Sequence, residues 1–220
     1  MIAARILAMV NESQGSVRFR DIVVLLRAFT HVNRYEAAFA AAGIPYYVTG
    51  GRGFAACQEV ADVLALLQFL INPYHEIALF ATLRSPFFLL SDDTLLRLRL
   101  AGGEAGIWGG LSDASHIAGL DEKQIEAAGR ARQLLSGWLE RRGYLSPAQL
   151  LRESFSATGF DLLQLSQFMG DRRYANLLKL QEMALTFAES GGGGLAEFLH
   201  YIEQRAADEG EAEIDSEAGD

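Results

Sequence analysis

Arg27 is the residue whose type and position point most directly to chemistry. It follows an uninterrupted apolar run, residues 22–26, which is the pattern of a strand buried on both faces of a parallel sheet. In α/β folds, functional groups gather at the carboxyl ends of such strands. A guanidinium is planar and always charged, so it can engage two phosphate oxygens at once. On spacing alone, however, a plain surface arginine that ends a strand is the better explanation.

Two glycine-rich segments have the composition of phosphate-binding loops. Gly50, Gly51 and Gly53 precede a predicted helix that contains no lysine, and this favours an ordinary turn between a strand and a helix. Residues 191–194 follow no predicted strand, and we interpret them as a hinge. The motifs GxxxxGK[ST], HExxH and GxSxG are absent from the sequence, and its four histidines are isolated from one another. The sequence therefore contains no complete catalytic set, and we predict no metal site.

Composition limits the classes of protein to consider. Half of the 220 residues are apolar, and the single cysteine, Cys57, excludes an internal disulfide and any cysteine-rich metal site. The first residues lack the pattern of a signal peptide, and no apolar stretch is long enough to span a membrane, so we expect a soluble, cytoplasmic protein. The net charge is −9, but residues 208–220 carry seven acids and no base. The remainder is nearly neutral, which is not the charge distribution of an autonomous DNA-binding protein.

The hydrophobic pattern predicts two short strands near the amino terminus and helices over most of the chain. The predicted strands are residues 22–26 and 45–49, and residues 102–110 are predicted to form a loop. Two strands alone do not make a stable parallel sheet, so this segment has the pattern of a piece of a larger α/β domain. The helices are predicted at 2–10, 30–42, 58–71, 74–83, 94–101, within 120–142, and at 147–158, 171–190 and 195–207.

This order of features resembles the second motor domain of UvrD-like superfamily 1 DNA helicases. In that family the segment that corresponds to DIVVLLR, residues 21–27, is motif IV, and the chain then leads into an inserted helical domain called 2B. The resemblance implies that Arg27 acts as an arginine finger on the γ-phosphate of ATP. The lysine and the magnesium-binding acid that would complete this site are not in the sequence. ATP and Mg²⁺ are therefore implied for a longer parent protein, and no cofactor is implied for this segment.

Residues 50–64 resemble the start of the inserted domain of these helicases. The residues that match are Gly50, Gly51, Phe54, Gln58, Glu59, Asp62 and Leu64. Three apolar or small residues, Ala56, Cys57 and Ala61, stand where the family has charged residues. The resemblance implies a structural role for Phe54 and Glu59, which would hold the start of the inserted domain in place.

Residues 84–95, RSPFFLLSDDTL, resemble the AddA/RecB branch of the family, the helicase–nuclease subunits. In other UvrD-type enzymes this place carries a TPxRGIG loop, whose backbone amides approach duplex DNA. Here Leu89, Leu90 and Ser91 replace the element that contains the glycines, so a duplex contact does not carry over by resemblance. The side chains that could still contact DNA in this region are Arg84, Ser91, Thr94 and Arg97.

The resemblance implies a mainly α fold, in which a helical 2B-like insertion domain carries a small α/β remnant of a RecA-like motor domain at its amino terminus. The expected boundaries are 1–54 for the remnant, 55–207 for the helical domain, and 208–220 for an acidic disordered tail that leads back to the motor domain. The implied parent is an ATP-dependent DNA helicase and exonuclease that acts in double-strand break repair and recombination. It would bind DNA and a partner subunit but no membrane, and this segment alone is predicted to be inactive.

Two further interpretations remain open at the level of sequence. The chain could be a helical protein–protein interaction module whose apolar helices dock a partner subunit. It could also be a self-contained α/β regulator, in which Arg27 is an ordinary surface residue. A phosphate-binding loop upstream and a histidine- and lysine-containing motif V downstream in the same gene would distinguish the helicase from both.

Overall fold

The described part of the chain is built from helices. A computed structural model of the protein describes residues 1–13, 15–26, 32–46 and 54–205, and these residues contain no strand. Four single 3₁₀ turns also occur, at Phe19–Asp21, Phe54–Ala56, Gly103–Ala105 and Ala114–His116. The helices are α1 (Ile2–Glu12), α2 (Val32–Ala41), α3 (Gln58–Ile71), α4 (Glu76–Arg84), α5 (Asp92–Ala101), α6 (Gly106–Ser112), α7 (Glu122–Arg141), α8 (Pro147–Thr158), α9 (Phe160–Leu165), α10 (Gly170–Glu189) and α11 (195–205).

Capping residues set several of the helix boundaries. The Ser91 hydroxyl accepts a hydrogen bond from the Thr94 amide at 3.2 Å and so caps α5. Asp121 and Ser146 form reciprocal capping boxes at the starts of α7 and α8, and Pro147 is the first residue of α8. Gly159 ends α8 in the left-handed conformation that glycine adopts at low cost. The sequence therefore marks these boundaries locally, and the predictions for α3, α5 and α8 are confirmed to within one to two residues.

Helix α3 is the central element of the helical body. Nine of its fourteen residues are buried, because α4, α7 and α10 all pack against it. The surrounding core is rich in aromatic rings: Phe87 stacks on Phe160 with ring centroids 3.9 Å apart, and Phe69 lies 5.3 Å from Trp108. One continuous apolar core thus joins α3 to α11.

The amino-terminal segment has a separate, small apolar cluster. Ile6 of α1, Phe39 of α2 and Ile44 form its buried centre. Its ring-to-ring contact with the helical body is that of Tyr46 with Phe168, at 6.4 Å between ring centroids. The groove between α1, residues 22–26 and α2 has a volume of about 650 Å³ and is lined mainly by apolar side chains.

The predicted strand at residues 22–26 is not present in the structure. The segment is irregular, and Val23 and Leu25 are 79% and 90% exposed, whereas a strand inside a parallel sheet would bury both. A strand needs backbone partners on neighbouring strands, and the described residues supply none. Residues 45 and 46 are also irregular, and the rest of the second predicted strand lies outside the described residues. The structure is mainly helical as predicted, but it does not show the α/β remnant.

The loop predicted at residues 102–110 is also wrong, because these residues form a 3₁₀ turn and the start of α6. The glycines here allow close packing: a side chain at Gly110 would collide with the backbone of Leu98 in α5. The start of α6 is held by Glu76, whose carboxylate accepts a hydrogen bond from the Ile107 amide at 3.0 Å. High glycine content therefore marks a helix–helix contact here, which a local pattern cannot distinguish from a loop.

Candidate functional site

The structure brings part of the predicted site together at the start of α3. Arg27, Gly50 and Gly51 lie outside the described residues. Phe54 lies in the 3₁₀ turn before α3, and Gln58, Glu59 and Asp62 occupy the first turns of the helix. These four residues face α10, which runs past the start of α3. Sequence similarity and spatial proximity therefore agree on this group of residues.

Glu59 is the centre of a buried polar cluster. Its side chain is almost fully buried, with 4% of the residue exposed. The Asn176 side-chain amide of α10 donates a hydrogen bond of 2.5 Å to the Glu59 carboxylate, and Arg173 of α10 lies 3.7 Å from its other oxygen. A buried carboxylate without such partners would be strongly destabilising. The cluster therefore fixes the start of α3 against α10 across 117 residues of sequence.

Burial changes the protonation of two neighbouring groups. It raises the pKa of the Asp62 carboxyl, while the hydrogen bond that Gln58 donates to it at 2.8 Å acts in the opposite direction. Burial also raises the pKa of the Cys57 thiol, and the charge of Glu59 adds to this effect. A thiol with a raised pKa is a poor nucleophile at neutral pH, which argues against a reactive role for Cys57.

Gln164 of α9 extends the cluster to a third helix. Its side-chain oxygen accepts a hydrogen bond of 2.9 Å from Arg173, so one guanidinium connects Gln164 with Glu59. Its amide nitrogen is fully buried without a partner among the described residues. A buried water molecule would satisfy this nitrogen. Sequence reasoning did not assign Gln164, Arg173 and Asn176 to this site.

Phe54 is held by a cation from α10. The Lys179 ammonium lies 4.6 Å from the centre of the Phe54 ring. Together with the contacts of Glu59, this places two of the family-matching side chains on the same helix. The arrangement is structural: the described residues contain no group of three or more metal-ligating side chains that could hold an ion.

The loop at residues 85–91 uses its own backbone amides. Phe87 donates to the Ser85 hydroxyl, Phe88 and Leu89 donate to the Ser85 carbonyl, and Leu90 donates to the carbonyl of Leu83, all at 2.9–3.3 Å. Leu89 adopts a left-handed conformation, with φ of 55°, which is a glycine conformation filled by leucine. No amide from 87 to 90 is therefore left to approach a phosphate.

The four predicted DNA-contact residues cluster around this loop and α5. Arg84 and Arg97 are paired with Asp92 and Asp93 at 2.7 and 2.8 Å, and these hydrogen bonds raise the pKa of each guanidinium. Arg97 also donates to the carbonyl of Ala118 at 3.3 Å. Ser91 caps α5, and the Thr94 hydroxyl, buried beside it, is engaged with Ser91 and Gln124. Each of these side chains already has a partner within the protein.

Comparisons with known proteins identify relatives of this geometry. Residues 1–108 match the family model of the UvrD-like helicase C-terminal domain. The chain is also similar to proteins named as the A-type subunits of ATP-dependent helicase/nucleases. The relative from Ruminiclostridium cellulolyticum is 34% identical over 200 residues, and the one from Acetivibrio thermocellus is 33% identical over 199 residues. Each alignment covers 89% of this chain. The predicted resemblance to UvrD-like helicases of the AddA type is thereby confirmed.

The same alignments fix what share of a relative the chain represents. The chain spans 16% of the length of either protein. The similarity continues beyond the family model into the second half of the helical body, so α7 to α10 belong to the matched region as well. Among the described residues, no helix is both long and apolar enough to cross a membrane.

Proposed function

We propose that this chain is part of an ATP-dependent DNA helicase and nuclease that acts in double-strand break repair and recombination. The observation that carries the proposal is the identity of 34% over 200 residues with an A-type helicase/nuclease protein. Within that protein, the chain would supply the helical insertion of the second motor domain. The buried cluster around Glu59 supports this assignment, because it lies where the chain would pass from the motor domain into the insertion.

ATP and Mg²⁺ would be bound by other parts of the parent protein. Arg27 would act on the γ-phosphate, where a guanidinium stabilises charge that develops during phosphoryl transfer. The proposal includes DNA as the substrate of the parent, together with a second, partner subunit. It retains the boundaries 1–54, 55–207 and 208–220, and a cytoplasmic location.

The helical body would contribute little to DNA affinity. Arg84 and Arg97 would each have to exchange a carboxylate for a phosphate, and the loop before α5 has no amide left to donate. Without its acidic last thirteen residues the chain is nearly neutral, so it would neutralise few phosphates. The insertion is therefore proposed to shape the motor rather than to hold the substrate.

A chimeric protein tests the proposal directly. The aligned 200 residues of the Ruminiclostridium cellulolyticum relative would be replaced by this chain, and DNA-stimulated ATP hydrolysis and unwinding would be measured. We expect the chimera to retain both activities. The matched control is Arg27→Ala in the chimera, which is expected to lower hydrolysis roughly 10³-fold while nucleotide binding persists. Unaltered unwinding after deletion of the segment would show that it is not part of the motor.

The second candidate function is that of a helical interaction module. It is favoured by the exposed apolar side chains of α4 and α5, among them Ile77 and Leu100, which the fold of this chain does not cover. A chimera that hydrolyses ATP normally but no longer assembles with a second subunit would favour this function over a role in the motor.

A further inference from the structure

Helices α4 and α5 form an antiparallel hairpin that leaves an apolar face exposed. The face consists of Ile77 and Phe80 of α4 and Leu96 and Leu100 of α5; we call it the α4–α5 face. Ile77 and Leu100 are 77% and 73% exposed, and Leu96 is 56% exposed. Four large apolar side chains on adjacent turns of two packed helices are more than the scattered apolar residues that any protein surface carries.

The charged side chains of the hairpin are all paired within it. α4 and α5 contain six charged residues, and these form the pairs Glu76–Arg99, Arg84–Asp92 and Asp93–Arg97, each at 2.7–2.8 Å. The hairpin is therefore electrically neutral and offers no unpaired cation to a nucleic acid. A surface of this kind fits an apolar protein surface better than a phosphate backbone.

The two interhelical ion pairs lie at opposite ends of the hairpin, with their signs reversed. Arg84 and Asp92 join the end of α4 to the start of α5, and Glu76 and Arg99 join the start of α4 to the end of α5. The base is thus on α4 at one end and on α5 at the other. The four charges form the corners of a rectangle in which neighbouring corners have opposite sign.

This rectangle is complementary to a copy of itself. If a second hairpin faces the first about a two-fold axis across the helices, Arg84 lies opposite Glu76 of the other copy, and Asp92 lies opposite Arg99. If the axis runs along the helices, Arg84 lies opposite Asp92 and Glu76 lies opposite Arg99. Both arrangements bring opposite charges together around the apolar centre. Self-complementarity of this kind is what a symmetric dimer interface requires.

We propose that the α4–α5 face is a symmetric docking surface for a second copy of this chain. Each helix is about 15 Å long and packed helices are about 10 Å apart, so the face lies at the small end of specific interfaces. The dimer is consequently weak and reversible, with dissociation in the micromolar range.

Sedimentation velocity of the purified chain over a range of micromolar concentrations tests the proposal. We expect a monomer–dimer equilibrium, and Leu96→Glu should raise its dissociation constant at least about 30-fold, as loss of a central apolar contact does. The matched control is Leu162→Glu on α9, where a leucine of similar exposure, 64%, lies outside the α4–α5 face. This variant should dimerise like the wild type. Circular dichroism would establish that both variants are folded.

A charge reversal tests the role of the corners. Asp92→Arg places like charges opposite each other in either two-fold arrangement, so it should weaken the dimer at low salt and much less at high salt. A chain that is monomeric at every concentration would overturn the proposal and leave the face to another polypeptide. A dimer that survives Leu96→Glu, or one that Leu162→Glu disrupts equally, would place the interface elsewhere and overturn it as well.

Discussion

Replacing Glu59 by alanine is expected to destabilise the helical body by about 2–3 kcal/mol, because the substitution removes the centre of the buried polar cluster. A hydrogen bond to a charged group contributes about 1.5–3 kcal/mol, and Glu59 accepts such a bond from Asn176. Arg173 adds only about 0.5 kcal/mol, because its side chain is 29% exposed and lies 3.7 Å away. Asn176 is only partly buried, so water can replace part of what it loses.

Urea unfolding at neutral pH, followed by circular dichroism, measures this loss. The thermal midpoint should fall by about 5–10 °C, given about 2–4 °C per kcal/mol in a protein of this length. Glu59→Gln is the matched control: it keeps the size and an acceptor oxygen, loses the charge, and should cost about 1 kcal/mol.

A double-mutant cycle separates the contact from general damage to the core. Glu59→Ala and Asn176→Ala should be coupled by about 1 kcal/mol or more, since each variant removes the same hydrogen bond. Additive effects of the two substitutions would refute the reasoning. So would a loss below about 0.5 kcal/mol for Glu59→Ala, which is the range of neutral surface changes.

Three further predictions follow from individual side chains. Because burial raises its pKa, Asp62 binds its proton more tightly when folded than when unfolded, so its contribution to stability falls as pH rises above its ordinary pKa. Asp62→Asn should therefore stabilise the protein at neutral pH, and the gain in urea unfolding should vanish in acid. At residue 89 glycine should exceed alanine in stability by about 1 kcal/mol, since φ is positive, and at helical residue 96 the order should reverse. The double variant Arg84→Ala/Arg97→Ala should change the affinity for hairpin DNA less than twofold in an anisotropy titration; a loss of about tenfold per residue would show that both contact phosphate.

The sequence is most informative where the cause of structure is local. Ser91 and Ser146 mark the starts of α5 and α8, because a capping side chain bonds to an amide only a few residues away. The group at the start of α3 is predicted through family resemblance, and the structure shows Glu59 and Asp62 buried there.

Other features depend on residues far away in sequence. Arg173 and Asn176 resemble ordinary polar residues of an exposed helix, and only folding brings them to Glu59. Residues 22–26 have the composition of a buried strand, but a strand also needs neighbouring strands, which the described residues do not provide. Gly110 has the local pattern of a loop residue, because its close contact with Leu98 leaves no trace in the neighbouring sequence.

The existence of two separate apolar clusters has a consequence for how the chain opens. The cluster of Ile6, Phe39 and Ile44 has three buried residues, whereas the core around α3 draws on nine of the eleven helices. Opening free energy scales with the apolar area that must be exposed, so α1 and α2 should open without disturbing α3. Their amide protons should exchange with solvent at rates set by local opening, while those of α3 should await unfolding of the whole helical body. The chain would thus behave as two thermodynamic units, of which only the larger one holds its shape unaided.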